Sequence, residues 1–171
     1  MYRLIRDLAV VQDDWTRLPQ GEWEAAQPLP PGKLIVPLAF WLHHRDALTR
    51  RGDAIGLWLN SDEHPEAIHA DIASFPLVAI NFPVFSDGRG YSYARIVREQ
   101  YGYRGELRAV GDVLRDQLFL MRRCGFDSFE LRADRDPESA LAGLHDFQYT
   151  YQGATVDIGV PLLLRRSTGP R

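Results

Sequence analysis

One cysteine, one lysine and two methionines stand among the 171 residues of this chain. A single thiol cannot close an internal disulfide, supply a two-cysteine redox couple or hold an iron–sulfur cluster. No apolar run reaches the roughly 20 residues that a helix needs to cross a bilayer. The opening Met1-Tyr2-Arg3-Leu4-Ile5-Arg6-Asp7 turns polar after two apolar residues, unlike a secretory leader, so a reducing cytoplasm is the expected setting. Charge of one sign is lacking too: 20 Lys+Arg face 23 Asp+Glu, a formal net charge of -3. That balance offers no footprint for a phosphate backbone, and neither nucleic acid nor membrane is expected as a partner. What remains is an ordinary globular composition, 45% hydrophobic and 25% charged, in a length suited to one domain. Because Lys33 is the only lysine, nearly all positive charge is arginine, whose planar fork suits oxyanions.

Residues 1–33 mix short apolar stretches with turn formers and end in Pro28, Pro30, Pro31 and Gly32, which predicts a strand or hairpin followed by an irregular arm. From Leu34 onward, compact apolar runs alternate with amphipathic stretches. The runs are Leu34 to Phe40, Ile55 to Leu59, Leu77 to Phe82, Leu107 to Val110 and Phe129 to Leu131. Several are apolar at nearly every position, as parallel strands covered on both faces are. Helices are expected at Trp41 to Arg50 (stopping at Gly52), at Pro65 to Ala73, from an N-cap at Ser92 to Gly102, from Asp112 to Gly125, and after Pro137. Phe147 to Val160, alternating around Gly153, reads as a closing hairpin. The expectation is one α/β domain over 34–160 with a tail at 161–171. Its sheet is mostly parallel, built from about five βα units. Five units are too few for an eight-stranded barrel, so the sheet is expected open or half-barrel-like, with a homodimer as one way to complete it.

In parallel α/β folds, ligands bind beyond the carboxyl ends of the strands. After the third run, Asn81 leads into Asp87-Gly88-Arg89-Gly90-Tyr91-Ser92, two glycines around an arginine ahead of a helix. Glycine permits positive φ and close backbone approach, a helix start offers free N–H groups, and Arg89 adds a charged fork. The plainer alternative is a tight turn with a solvated arginine. After the fourth run come Asp112, Arg115 and Asp116. With Asp112 opening the helix, the two aspartates would share a face; the plainer alternative is a cap and a surface ion pair. Five histidines (His43, His44, His64, His69, His145) have no zinc-like spacing with Cys124, so no metal is expected. Cys124 is expected as a buried structural thiol. Neither a Gly-x-Ser-x-Gly elbow nor a Gly-x-Gly-x-x-Gly fingerprint occurs, and no cofactor is evident.

The stretch Asn81-Phe82-Pro83-Val84-Phe85-Ser86-Asp87-Gly88-Arg89-Gly90-Tyr91-Ser92, together with Gly105-Glu106-Leu107-Arg108-Ala109-Val110-Gly111-Asp112-Val113-Leu114-Arg115-Asp116-Gln117-Leu118, resembles the bacterial domain-of-unknown-function family 934. Arg122-Arg123-Cys124-Gly125-Phe126-Asp127 fits the same pattern. Members of that family are often labelled oxidoreductases of sulfite reduction. The resemblance implies a setting in assimilatory sulfate reduction beside sulfite reductase, and it carries over no catalytic residues. Two expectations of different class follow. One is an accessory protein acting by contact with sulfite reductase or its cofactor supply. The other is a small enzyme or binding module that holds an oxyanion or phosphorylated ligand at the Asp87-Gly88-Arg89-Gly90 loop. They differ in whether that loop forms a concave pocket or lies against a partner.

Overall fold

A computed structural model describes residues 3–19, 29–51, 54–145 and 155. The expected hairpin between Phe147 and Val160, the tail, Pro28 and the helix stop at Gly52 lie outside the described residues. Eight strands form one sheet: β1 (Arg3–Arg6), β2 (Ala9–Gln12), β3 (Trp15–Arg17), β4 (Lys33–Pro37), β5 (Ile55–Leu59), β6 (Leu77–Phe82), β7 (Glu106–Gly111) and β8 (Ser128–Phe129). Their order is β2-β1-β8-β7-β6-β5-β4-β3. Every neighbouring pair from β3 to β8 is parallel, and β1 joins β8 and β2 antiparallel. Between β4 and residue 145 the strands β4, β6, β7 and β8 are each followed by an α-helix, and β5 by 3-10 turns, so four of the five expected units are βα.

The first residues do more than form a separate arm. β1 and β2 make a hairpin whose turn residues, Asp7 and Leu8, both have positive φ (49° and 63°). β3 lies at the far edge of the same sheet. Laid flat, eight strands would span about 34 Å. Yet only Asp13 and Asp14 separate Gln12 of β2 from Trp15 of β3, a link of at most about 11 Å. The sheet therefore curls. Followed pair by pair from Trp15 round to β2, the register returns at a level seven residues before Gln12, so the strands are strongly staggered, as those of a curled sheet are. The result is a curled half-barrel whose β2 and β3 edges are joined covalently and not by a ladder.

Curling gives each strand two unlike faces, because successive side chains alternate. Leu34, Val36, Leu57, Val78, Ile80, Phe82 and Leu107 point outward and pack beneath the helices. Ile35, Trp58, Leu77, Ala79 and Val110 point inward and pack with Trp15 of β3. The near-continuous apolar runs in the sequence are these two sets interleaved. The inner face also carries Arg108, which is fully buried. Its Nε and Nη2 donate to Glu106 Oε1 at 2.9 and 2.8 Å, and its Nη1 donates to Asp13 Oδ2 at 2.9 Å. The Asp13–Asp14 link is thereby fastened to the sheet it crosses.

The helices are α1 (Leu38–Arg50), α2 (Arg89–Arg95, continued as a π-helical turn over Ile96–Gln100), α3 (Arg115–Arg123) and α4 (Pro137–Leu141). Several boundaries differ from the sequence reading, among them the last strand, which is Ser128–Phe129 in place of Phe129 to Leu131. The run from Leu34 stops being strand at Pro37, and Leu38, Ala39 and Phe40 already belong to α1. Pro65 to Ala73 forms two short 3-10 turns, Pro65–Ile68 and Ile72–Ser74, in place of an α-helix. α3 begins three residues later than expected. The Leu114 N–H is satisfied by Gln117 Oε1 at 2.9 Å, so the helix starts there without Asp112. In the π turn, Arg98 donates to Gly125 O, Tyr103 O, Gly105 O and Asp127 Oδ2, riveting the amino ends of β7 and β8.

Candidate functional site at the carboxyl ends of the strands

The loops after β5, β6, β7 and β8 meet at one end of the sheet, as parallel pairing dictates. At the end of β5, Asn60 Oδ1 accepts from Asn81 Nδ2 of β6 at 2.8 Å. Glu63 folds back to accept from the Asn60 N–H at 2.7 Å, and burial pushes its carboxyl above the usual range. Beside this pair, Gly111 closes β7 at φ 97°, and a Cβ there would collide with the Phe82 carbonyl and with Asn81 Oδ1. Glycine is required at this position for both reasons.

The Arg89 loop is organised differently from the sequence expectation. Gly88 has φ -86° and ψ -5°, a conformation open to any residue, so it supplies no positive φ. Gly90 matters for packing instead: a Cβ there would lie 2.5 Å from the ring of buried Phe82. Ser92 is inside α2 and caps nothing, because the helix already starts at Arg89. Asp87, 8% exposed at its side chain, accepts from Arg89 N at 3.1 Å, Nε at 3.0 Å and Nη2 at 2.7 Å. The Arg89 guanidinium holds the Asp87 carboxyl well below the usual carboxylate range. Arg89 Nη2 also donates to Ser61 Oγ at 3.0 Å, tying this loop to the one after β5. An internal carboxylate already fills the fork that the sequence offered to an external anion.

Asp112 is a bridge between loops. Its Oδ2 accepts from the Phe85 N–H at 2.9 Å, and its Oδ1 accepts from Arg132 Nη1 at 3.0 Å. Gln117, buried in the first turn of α3, donates to Phe85 O at 3.4 Å. These bonds hold the tip of the β6–α2 loop, where Val84 and Phe85 are 53% and 54% exposed. Thus Asn81, Asp87, Arg89 and Asp112 gather at one end of the sheet. Arg115 instead lies along Gly143 in the turn after α4. Asp116 is exposed on α3 and does not pair with Asp112, which lies off the helix, so the four-residue spacing has no structural meaning. Among the described residues no group of three His, Cys, Asp or Glu could hold a metal ion. Cys124 is half-buried, and burial pushes its thiol upward.

The sequence reading missed a second part of this end. A cleft of about 1190 Å³ opens between β3 and the segment after β8, lined among others by Trp15, Arg17, Gly111, Glu130, Arg132 and Asp134. Across it Arg17 grips Glu130 at 3.0 Å and lies over the Trp58 ring at 5.8 Å. Arg132 binds both oxygens of Asp134, at 2.6 and 3.0 Å, while still holding Asp112. No local sequence pattern marks Arg17 or Glu130, because their partnership crosses the curled sheet.

Fold and site together define a half-barrel α/β protein whose polar side chains collect beyond the carboxyl ends of its strands. The chain belongs to the family described as bacterial protein of unknown function, DUF934, whose profile matches residues 56–161, more than half of its length. The match begins within β5 and includes the loops that carry Asn60, Asp87, Asp112 and Arg132. No curated protein sequence matches the chain.

Proposed function

We propose that this protein acts by contact, as an accessory protein of assimilatory sulfite reduction that docks on sulfite reductase through the Val84–Phe85 tip of its β6–α2 loop. The observation that carries this reading is the loop itself. Its two large apolar side chains face solvent on a backbone held by Asp112 and Gln117, while its arginine is matched internally by Asp87. Exposed apolar groups on a pre-ordered backbone favour protein association, since little ordering entropy remains to be lost. The pathway rests on the resemblance carried by residues 81–132. The lone half-buried thiol of Cys124, raised by its surroundings, is ill suited to thiol exchange, which proceeds through the thiolate.

The test is affinity purification of the tagged full-length protein from cells grown on sulfate. Sulfite reductase should co-purify with the wild-type protein and be lost with Phe85→Asp, whose folding an exposed position should spare. A strain lacking the protein should grow poorly on sulfate or sulfite and normally on cysteine, and Cys124→Ser should restore growth. Undiminished capture by Phe85→Asp would remove the docking surface. Normal growth of the deletion strain on sulfite would remove the pathway, and purification with bound flavin, siroheme or an iron–sulfur cluster would overturn the accessory role.

A further inference from the structure

Arg132 and Arg135 lie three residues apart in a tight turn after β8, closed by a hydrogen bond from Arg135 N to Arg132 O at 2.9 Å. One carboxylate, that of Asp134, sits between their guanidinium groups. It takes the Nε and Nη2 of Arg132 side by side, and its Oδ2 is 3.6 Å from Arg135 Nε. Side-by-side donation is the geometry in which a guanidinium receives a carboxylate, sulfate or phosphate. Asp134 therefore occupies the position of an oxyanion.

The two aspartates held by Arg132 are not equivalent. Asp112 is largely covered and is also tied to the Phe85 N–H, whereas Asp134 is 56% exposed at its side chain. Exposed ion pairs are weak and readily exchanged. Asp87 differs from Asp134 too: its side chain is only 8% exposed and takes the Arg89 backbone N–H besides two guanidinium bonds, so it is the harder carboxylate to displace, although Arg89 itself is 53% exposed. The cleft opens directly on this turn, and Arg132, Asp134 and Arg135 all line it.

We propose that Arg132 and Arg135 form a binding site for a small oxyanion, of the sulfate, phosphate or carboxylate class, which enters from the cleft and displaces the Asp134 side chain. Asp134 is an internal competitor that pairs with both arginines when the site is empty. Asp112 keeps Arg132 in place during the exchange, so the fork is already oriented for the incoming anion. This site needs no protein partner and stands or falls separately from the docking surface.

The experiment is titration of the full-length protein with sodium sulfate and, separately, sodium phosphate at constant ionic strength, followed through the arginine Nε–H resonances and by calorimetry. Saturable binding that shifts Arg132 is expected. Asp134→Asn should tighten it about five-fold, the factor corresponding to an exposed ion pair. Arg132→Gln should weaken it at least about ten-fold, and Arg89→Gln should leave it unchanged. If Arg132→Gln does not fold by circular dichroism, Arg135→Gln together with Asp134→Asn carries the same test. A phosphomonoester that binds as phosphate does would mark a phosphorylated ligand, and tighter binding of sulfate would mark a free inorganic ion. Equal affinity in wild type and Arg132→Gln, or no tightening in Asp134→Asn, would overturn the proposal.

Discussion

Replacing Arg108 with Met tests whether the buried ion network fastens the Asp13–Asp14 link across the sheet. Arg108 is fully buried, and its two partners are nearly so, with side chains 9% (Asp13) and 15% (Glu106) exposed. Methionine fills much of the same volume but strands both carboxylates. Removing one partner of a buried ion pair costs about 3–5 kcal/mol, because a charge is left desolvated without a counter-charge. Glu106 keeps a second, longer contact to Arg6 at 3.5 Å, which places the expected loss at the lower end, about 3 kcal/mol. For a chain of this size that corresponds to a fall in Tm of about 6–12 °C. The assay is urea and thermal unfolding followed by circular dichroism at pH 7. Asp13→Asn removes the charge and keeps an acceptor, so it should cost less, about 1–2 kcal/mol. Combined with Arg108→Met, the two losses should fall short of their sum by about 1 kcal/mol, since they remove one shared interaction. A loss below about 1 kcal/mol for Arg108→Met, or strict additivity in the cycle, would refute the reasoning.

Two further outcomes follow from local features. Leu8→Gly should raise the urea midpoint, by about 1 kcal/mol in stability, because Leu8 is held at φ 63°, a region costly for a side chain with a Cβ; an unchanged or lower midpoint would show no strain there. The depressed carboxyl of Asp87 gives stability that is complete above its unfolded value of about 4 and is lost as pH falls from there through the lower folded value. Asp87→Asn should therefore flatten the acid limb of the stability–pH curve, and an unaltered limb would show that the clamp adds nothing.

Strands β5 and β6 are legible residue for residue because their apolar runs are bounded by Gly, Asn and Pro. Helix starts are less so, since the residue that resembles a cap is spent elsewhere. Asp112 gives its carboxylate to Phe85 and Arg132, and Ser92 falls within a helix that begins at the Asp87–Arg89 clamp. The clamp joins residues two apart, so the sequence could point to that loop, though not to the fork being filled by Asp87. Arg108 meets Asp13 from 95 residues away, and no local pattern records such a partner. A trace was present all the same: Glu106-x-Arg108 puts opposite charges on one face of an otherwise apolar strand, which alternation makes adjacent. Arg132 had only its distance beyond the last strand to mark it.

The covalent joining of the β2 and β3 edges bears on the order in which the chain takes shape during its synthesis. β3 can pair with β4 as soon as residue 37 has emerged, whereas β1 must wait for β8, which is made more than a hundred residues later. At about 5–20 residues per second, that delay is roughly 6–25 s. Throughout it the hairpin carrying Leu4 and Ile5, both fully covered in the finished protein, has no strand to lie against. The hairpin is thus made well before the strand it docks on, and Asp13–Asp14 is the hinge between an edge that settles early and one that closes the sheet late.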